Sequence, residues 1–261
     1  MTTPIITITT DFGLQDHYVG TMKGVLWSRC PDAHLVDITH EIPPFSVYAG
    51  AYAIDQAASF FPPGTVHIVV VDPGVGTARK AILLESRDQF FIGPDNGVLS
   101  LIAGRAQYAA REIANKEYWL ECPSGTFHGR DIFAPVAATV AARATKPQDI
   151  GPALEKIQVL ADLKPTEIEP GLWRGKVLSV DRFGNVITNF CPPTGTFSLN
   201  IGHCKITKFR KTFCGAPEGL VFAYAGSSGY MEIGMNQKNA AEKLQVASGS
   251  TITLCLRDTI V

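Results

Sequence analysis

The stretch HIVVVDPGVGTARKAILL, residues 67–84, places a carboxylate and a cation close together in the sequence. A run of apolar and β-branched residues ends at Asp72, a Pro-Gly-Val-Gly turn follows, and Arg79 precedes a second apolar run. A carboxylate at the end of a buried strand can hold a metal ion, lie beside a phosphate-binding loop or position a water molecule. These are the three kinds of chemistry that the residue types allow here.

The glycines of this turn do not match the common phosphate-binding loops. Gly74 and Gly76 are too close together for G-x-x-x-x-G-K-[ST], and Lys80 is not followed by Ser or Thr. The pattern G-x-G-x-x-G also fails, because its third glycine is missing and the turn joins two predicted strands rather than a strand and a helix. We interpret the glycines as residues that allow a tight turn and a close backbone approach.

Two further carboxylates, Asp11 in TTDFG and Asp95 in GPDNG, also follow strand-like runs. At such positions an Asp caps the next turn, accepts from a ribose hydroxyl or binds a metal ion, and all three roles stay open. Together with Asp72 they could serve a metal-dependent phosphohydrolase. However, the six histidines are dispersed and no HExxH pattern occurs, so we predict no metal site. His128, in TFHGRDIFAP, gains interest if it meets Asp72 and Arg79 in the fold.

Composition excludes several classes of partner. Of the 261 residues, 46% are apolar and 18% charged, and the formal net charge is -1, which does not favour binding to nucleic acid or an anionic membrane. No apolar run approaches the roughly 18 residues that a membrane span needs, and the N-terminal sequence does not resemble a signal peptide. The six cysteines form no C-x-x-C pair and are expected to be reduced thiols. We predict a cytoplasmic protein with neither a nucleic-acid nor a membrane partner.

Strand-like and helix-like segments alternate in the first part of the chain. Short runs rich in Val, Ile and Thr, such as PIITITT, HLVDIT and TVHIVVVD, are typical of buried strands. HYVGTMKGVLWSRC, VYAGAYAIDQAASFF and RDIFAPVAATVAARA place apolar residues at helical spacing. This order predicts an α/β N-terminal domain with a central, mostly parallel sheet.

The pattern changes at DLKPTEIEPGLW, residues 162–173, where prolines and glutamates interrupt it. After this segment, short alternating runs recur every 8–12 residues with turn residues between them, which favours a β-barrel or sandwich. The sequence therefore predicts two domains, an α/β domain at 1–165 and a smaller all-β domain at 166–261.

Six segments in the same order resemble the S-adenosyl-L-methionine (SAM) hydroxide adenosyltransferases, the SAM hydrolases related to fluorinase and chlorinase. They are ITTDFGLQDHYVG, HIVVVDPGVGTAR, IGPDNGVL, TFHGRDIFAP, VDRFGNVITN and GSSGYMEIGMN. Together they span nearly the whole chain. The resemblance implies an α/β domain followed by a β domain, and a homotrimer whose substrate sites lie at subunit interfaces.

The resemblance further implies a catalytic set of Asp72, Arg79 and His128. These residues would prepare a water or hydroxide for in-line attack on the ribose C5′ of SAM, which yields adenosine and L-methionine. Arg79 offers a fixed positive charge and Asp72 orients the cluster, while either His128 or Asp72 could handle the proton. No cofactor is implied, since SAM is the substrate. Its sulfonium departs as a neutral thioether, methionine, so no general acid is required.

The substrate contacts that the resemblance implies fall in both predicted domains. Asp11 would hold the ribose diol, with Tyr18 nearby. Asp16 and Asp181 would lie near the methionine ammonium. Asn185 would contact the adenine edge, with Phe183 close enough to stack. Main-chain groups around Ser228 and Met235 would also meet the adenine, and Glu232 is a further polar candidate.

Departures from the halogenating branch favour water as the nucleophile. That branch carries Tyr and Thr where this chain has Asp72 and Val75, and it has an inserted loop that the path from GPDNGVLSLIAG to TFHGRD does not accommodate. A carboxylate at the nucleophile end would repel a halide ion. Two other hypotheses remain: a SAM-dependent halogenase, and a protein that binds adenosine or SAM without turnover.

Overall fold

Residues 3–257 are described by the computed structural model of the chain. They form two units, and the chain passes from the first to the second between Leu160 and Ala161. In the first unit the strands are β1 (Ile5–Thr10), β2 (His34–Thr39), β3 (Val66–Val70), β4 (Ala81–Ser86), β5 (Gln89–Pro94), β6 (Ala109–Glu112) and β7 (Ala153–Leu154). The α-helices are α1 (Tyr18–Arg29), α2 (Val47–Ala58), α3 (Ser100–Arg105), α4 (Ala134–Ala141) and α5 (Pro147–Ile150). A 3-10 helix covers Lys116–Tyr118 and a π-helix covers Gly129–Phe133.

The first unit is a seven-stranded sheet between two layers of helices. Its strand order is β2-β1-β3-β5-β4-β6-β7. Along β3, Val66, Ile68 and Val70 pack in the cluster that contains α1 and α4, while Val69 packs with α2 and α3. This alternation follows from the period of two in a strand, and it buries both faces of β3. The strand that leads to Asp72 is therefore rigidly held.

The prediction of a mostly parallel sheet is wrong. Parallel pairing joins β1 to β2, β1 to β3 and β3 to β5, but β4–β5, β4–β6 and β6–β7 are antiparallel. The reason lies in the short connection between β4 and β5. Arg87 and Asp88 both adopt positive φ, 53° and 58°, which forms a tight hairpin turn and forces the two strands to run in opposite directions.

The second unit is an antiparallel sheet that is nearly closed. Its strands are β8 (Thr166–Glu169), β9 (Leu172–Val180), β10 (Val186–Thr188), β11 (Thr196–Ile201), β12 (Cys204–Ile206), β13 (Val221–Ala225), β14 (Met231–Met235) and β15 (Thr251–Arg257). They follow the order β12-β11-β15-β9-β10-β14-β13, with β8 paired to β9. The segment after β12 bonds to β13, because Arg210 N donates to Ala223 O at 2.9 Å and Ala223 N donates to Lys208 O at 2.8 Å. These bonds bring the two ends of the sheet together.

The prediction that this domain is all-β is also wrong. A short helix, α6 (Ala240–Leu244), packs on the sheet through Ala240, Ala241 and Leu244. Asn239 caps it, since its side-chain oxygen accepts the N–H of Glu242 at 3.0 Å. Among the helices in residues 3–257, none has the length and apolar character needed to cross a membrane.

Candidate active site

The turn after β3 brings Arg79 back beside Asp72. Val75 N donates to Asp72 O at 3.2 Å, and Thr77 N donates to Gly74 O at 3.2 Å. Gly76 has a φ of +78°, a conformation that favours glycine. The Pro-Gly-Val-Gly stretch therefore acts as a tight reversal rather than as an anion cradle.

Arg79 donates two hydrogen bonds to the Asp72 carboxylate. Arg79 Nε donates to Asp72 Oδ1 at 3.0 Å, and Arg79 NH2 donates to Asp72 Oδ2. Their side chains are only 9% and 5% exposed. The guanidinium also lies over the Phe133 ring, 5.4 Å from its centroid. Burial and the planar fork fix the relative orientation of the two charged groups.

Arg79 also contacts His128, which lies 49 residues further along the chain. Arg79 NH2 lies 2.8 Å from His128 Nδ1. An arginine nitrogen can only donate, so Nδ1 accepts and carries no proton. Burial lowers the pKa of His128, and the Arg79 charge lowers it further, while Asp72 and Asp131 act in the opposite direction. At neutral pH His128 is therefore the neutral imidazole with its proton on Nε2.

Asp72 and His128 face a common cavity of about 420 Å³. Of the described residues, its lining includes Asp72 and His128 but not Arg79, which lies behind them and joins them. The other lining residues are Asp11, Phe12, Tyr18, Pro44, Phe45, Val70, Val75, Thr126, Phe127 and Gly129. The cavity thus has two polar corners, at Asp11 and at the Asp72–His128 pair, within mostly apolar and aromatic walls.

Asp11 reaches this cavity because β1 and β3 are parallel neighbours. Their carboxyl ends lie at the same edge of the sheet, which puts Asp11 near Asp72. Asp11 Oδ2 accepts the backbone N–H of Phe45 at 2.8 Å. Burial raises the pKa of Asp11, the Phe45 N–H opposes this, and the Asp72 charge adds to the increase. Tyr18 packs on Phe127 at the cavity wall, with ring centroids 5.1 Å apart.

The structure does not bring every sequence candidate of the first unit to the cavity. Asp16 is exposed and is not among the lining residues that the structure describes. Asp95 is also outside the described lining, and its Oδ1 accepts Gln158 N at 2.7 Å. Asp95 therefore bonds the backbone at Gln158 and does not join Asp11 and Asp72 in the described lining of the cavity. In residues 3–257, no group of three or more His, Cys, Asp or Glu residues is placed to hold a metal ion.

Sequence reasoning missed part of the cavity wall, Phe45 above all. Phe45 is 71% exposed and has a φ of 67°, which is uncommon for a large side chain. The available signal is the segment THEIPPF, since an aromatic residue after two prolines in the loop that follows β2 lies at the ligand-binding edge of an α/β sheet.

In the second unit, Asp181 organises the turn before β10. Asp181 Oδ1 accepts Phe183 N at 2.9 Å and Asn185 N at 2.8 Å, and Oδ2 accepts Asn185 Nδ2 at 2.8 Å. Gly184 completes the turn with a φ of +82°. The Asp and Asn of DRFGN thus bond locally, and the turn presents the 78% exposed Phe183 ring.

A cavity of about 590 Å³ lies beside this turn. Its lining consists of Phe183, Asn185, Phe213, Met235, Asn236, Gln237, Lys238 and Asn239. Ser228 and Glu232 are outside that described lining. Glu232 is buried and accepts Tyr224 OH at 2.6 Å, and Ser228 Oγ lies 3.5 Å from its Oε1. Burial raises the pKa of Glu232, and the Asp181 charge adds to this although the Tyr224 hydroxyl opposes it.

Comparison with known proteins agrees with the resemblance seen in the motifs. The N-terminal and C-terminal domain models of the SAM hydroxide adenosyltransferase family match residues 6–151 and 175–253. The chain is 39% identical over 257 residues to an (R)-S-adenosyl-L-methionine hydrolase of Salinispora arenicola, with 96% of this chain and 97% of that protein covered.

Two further matches widen the comparison. A fluorinase of an Actinoplanes species is 28% identical over 293 residues, covering 96% of this chain and 97% of that protein. The crystal structure of an uncharacterized conserved protein from Thermotoga maritima has a TM-score of 0.83 and 38% identity, covering 96% of this chain and 100% of that one. The chain belongs to the SAM hydroxide adenosyltransferase family.

Proposed function

We propose that the protein is a SAM hydrolase that forms adenosine and L-methionine. The observation that supports this most is that Arg79 joins Asp72 and His128, two residues in the wall of a cavity of about 420 Å³. A proton acceptor and a neutral imidazole thus face the same cavity. The identity of 39% to a curated SAM hydrolase over nearly the full length supports the same conclusion.

The reaction needs one water molecule and no general acid. The water oxygen forms a bond to the ribose C5′ while the C5′–sulfonium bond breaks, and the electron pair of that bond stays on sulfur. Methionine therefore leaves as a neutral thioether, and the attacking water loses one proton. Proximity and in-line orientation inside the cavity supply much of the acceleration.

The hydrogen bonds support Asp72 as the residue that takes the proton. His128 Nδ1 already accepts from Arg79, so the imidazole can only donate, through Nε2–H. Arg79 has no acceptor atom. Each Asp72 oxygen accepts one bond from Arg79 and keeps a second lone pair. In this proposal His128 holds the water oxygen, Asp72 takes the proton, and Arg79 fixes both side chains.

We propose that the substrate contacts are shared between residues of the two units. Asp11 lines the first cavity and would accept hydrogen bonds from the ribose diol, and Tyr18 lines the same cavity. The amide nitrogen of Asn185 is engaged by Asp181, so its carbonyl oxygen would accept the adenine amino group, with Phe183 stacking on the base. The remaining proposed contacts are Asp16 and Asp181 toward the ammonium, and Ser228, Glu232 and Met235 around the adenine.

One observation favours water over a halide ion as the nucleophile. The carboxylate of Asp72 lies in the cavity wall next to the nucleophile position, and negative charge there disfavours an anion. The more distant identity to the fluorinase, 28% against 39%, agrees with this preference. A halogenase and a binding protein without turnover remain as outcomes of the experiment below.

We further propose a cytoplasmic homotrimer without a cofactor, with substrate sites at subunit interfaces. The exposed aromatic side chains in the walls of the two cavities, Phe45 in the first unit and Phe183 in the second, support a subunit contact there. The cysteines are free, in keeping with a reducing compartment. We keep the predicted domains, 1–165 and 166–261, whose junction falls between the two segments matched by the family models.

The decisive experiment incubates the purified protein with SAM and follows adenosine by chromatography, in parallel with Asp72→Ala and His128→Ala. We expect adenosine from the parent and at least a 100-fold loss in each variant. Because the relative from Salinispora arenicola is named for the (R) sulfonium epimer, both epimers of SAM should be supplied. Parent and variants that behave alike would refute hydrolysis at this site, and adenosine retained without turnover would favour the binding protein. Halide-dependent formation of 5′-halogenated nucleoside would favour the halogenase.

A further inference from the structure

The loop that carries His128 is closed by one buried carboxylate, that of Asp131. Asp131 is 1% exposed, and its Oδ2 accepts the backbone N–H of Ser124 at 2.8 Å. Asp131 N donates to Phe127 O at 3.1 Å, and Phe127 N donates to Ser124 Oγ at 3.0 Å. His128 therefore lies within a ring of hydrogen bonds whose two ends are joined through the Asp131 side chain.

Arg130 completes this arrangement from the outer side. Arg130 Nε donates to Asp131 Oδ1 at 2.5 Å, and Arg130 NH2 donates to Oδ2 at 3.0 Å. The same guanidinium lies 5.1 Å from the centroid of the Phe127 ring. Burial tends to raise the pKa of Asp131, but the hydrogen bonds from Arg130 and Ser124 outweigh it and lower this pKa. Asp131 is thus ionised at neutral pH.

The closed loop presses against the turn that carries Arg79. A Cβ atom added at Gly76 would lie 2.4 Å from the carbonyl oxygen of Gly125, so the two backbones are in direct contact there. Because the two backbones touch, the position of the 124–131 loop against the 72–79 turn sets where His128 lies relative to Arg79. The separation of 2.8 Å between Arg79 NH2 and His128 Nδ1 depends on that position.

We propose that Asp131 is a positioning residue for the reaction. Its carboxylate closes the 124–131 loop against the 72–79 turn and thereby keeps His128 Nδ1 in hydrogen-bond distance of Arg79. Asp131 is not among the described lining residues of the cavity, so it acts through His128 rather than on the substrate. This inference rests on the proposed function, in which His128 holds the attacking water.

The proton on the His128 ring gives the inference a specific signature. Arg79 NH2 lies 2.8 Å from His128 Nδ1, which must then accept, so the proton of the neutral ring stays on Nε2. If Asp131→Asn lets His128 move away from Arg79, this constraint is lost and the proton distributes over both ring nitrogens. A structural defect elsewhere in the protein would not change the tautomer of His128.

The test compares the parent, Asp131→Asn and the matched control Asp149→Asn. Asp149 is an exposed carboxylate of α5 in the same unit. For Asp131→Asn we expect kcat to fall about 10- to 100-fold with KM within about twofold, since small displacements of a catalytic group have effects of this size. NMR of labelled histidine at neutral pH, with His128 assigned through His128→Gln, should show a mixed tautomer of the neutral His128 ring instead of a proton confined to Nε2. Asp149→Asn should match the parent in all three readouts.

Each outcome distinguishes this inference from the proposed function. If Asp131→Asn keeps the kcat of the parent and the His128 tautomer of the parent, the inference is overturned while hydrolysis stands. If the parent forms no adenosine, the proposed function fails, and the His128 tautomer measured by NMR alone decides whether Asp131 positions His128. If Asp131→Asn does not fold, Ser124→Ala replaces it, because this variant removes the acceptor of Phe127 N but leaves the buried carboxylate intact. Ser124→Ala should lower kcat about 3- to 10-fold, and parent kcat with the parent tautomer would overturn the inference.

Discussion

Replacing Arg79 by lysine isolates the role of the guanidinium fork. Arg79 uses Nε and NH2 to bond both Asp72 and His128, and its NH2 nitrogen serves both partners. Lysine keeps the positive charge but ends in one ammonium group that cannot reproduce this planar geometry. We expect the ammonium to stay with the Asp72 carboxylate, because opposite charges attract more strongly than a charge and a neutral ring. The bond to His128 Nδ1 is then lost.

The size of the effect follows from that single bond. A hydrogen bond from a charged group contributes about 1.5–3 kcal/mol. Without it, the neutral His128 with its proton on Nε2 is no longer the favoured tautomer and orientation. If the reactive arrangement becomes less populated by that free energy, kcat falls about 10- to 150-fold, at about 1.4 kcal/mol per factor of ten. KM should change little, because Arg79 lies behind the cavity wall and not in the described lining.

The assay measures kcat and KM for adenosine formation in the parent, Arg79→Lys and the control Arg29→Lys. Arg29 also forks across two acceptors, the carbonyl oxygens of Tyr118 and Trp119 at 2.9 and 3.0 Å, but it is outside the described lining of the cavity. The control should keep the kcat of the parent. A kcat of Arg79→Lys within threefold of the parent would refute the assigned role. A rise in KM at constant kcat would instead indicate direct substrate binding.

Three other predictions concern stability, metal and base recognition. Burial lowers the pKa of His67 from 6.5 to about 4, so as the pH falls through 6.5 the unfolded chain takes up the proton first. Between pH 7.5 and 4, the free energy of unfolding measured with urea should therefore fall by about 3 kcal/mol more in the parent than in His67→Asn. Equal losses of this free energy in the two proteins would contradict the prediction. A chelator should leave kcat unchanged, because the Asp11 carboxylate already accepts the Phe45 N–H and the Asp72 carboxylate already accepts from Arg79. A loss of activity that added metal restores would disprove this. Asn185→Ala should raise KM about 5- to 20-fold and change kcat less, whereas a lower kcat at constant KM would remove Asn185 as the base contact.

The strand ends of the first unit are predictable because the sequence marks them strongly. Every residue of TVHIVVVD up to Val71 is buried, and the run ends at the first charged side chain, Asp72. The same pattern marks Asp11 after β1. Parallel pairing of β1 and β3 then puts both carboxylates at one edge, as the α/β rule predicts. Asp95 shows the limit of that rule, since its side chain instead bonds Gln158 N.

Pairing direction and short helices are not encoded as clearly. The two-residue turn at Arg87 and Asp88 contains no glycine or asparagine, so the sequence lacks the usual sign of a tight hairpin. The helix Ala240–Leu244 is five residues long and is stabilised by tertiary packing more than by its own hydrogen bonds. Both features produced errors in the predicted fold, and neither lies in the first cavity.

The contact between Arg79 and His128 depends on tertiary structure alone, and it changes how the catalytic set is interpreted. From residue types, Arg79 is a cation placed to favour hydroxide, and the proton could go to either Asp72 or His128. In the structure one guanidinium nitrogen serves both partners, which occupies the only lone pair that a neutral imidazole with its proton on Nε2 possesses. The carboxylate is then the one member of the set that retains acceptor capacity. Arg79 therefore determines the division of roles between Asp72 and His128 through hydrogen-bond saturation as well as through its charge.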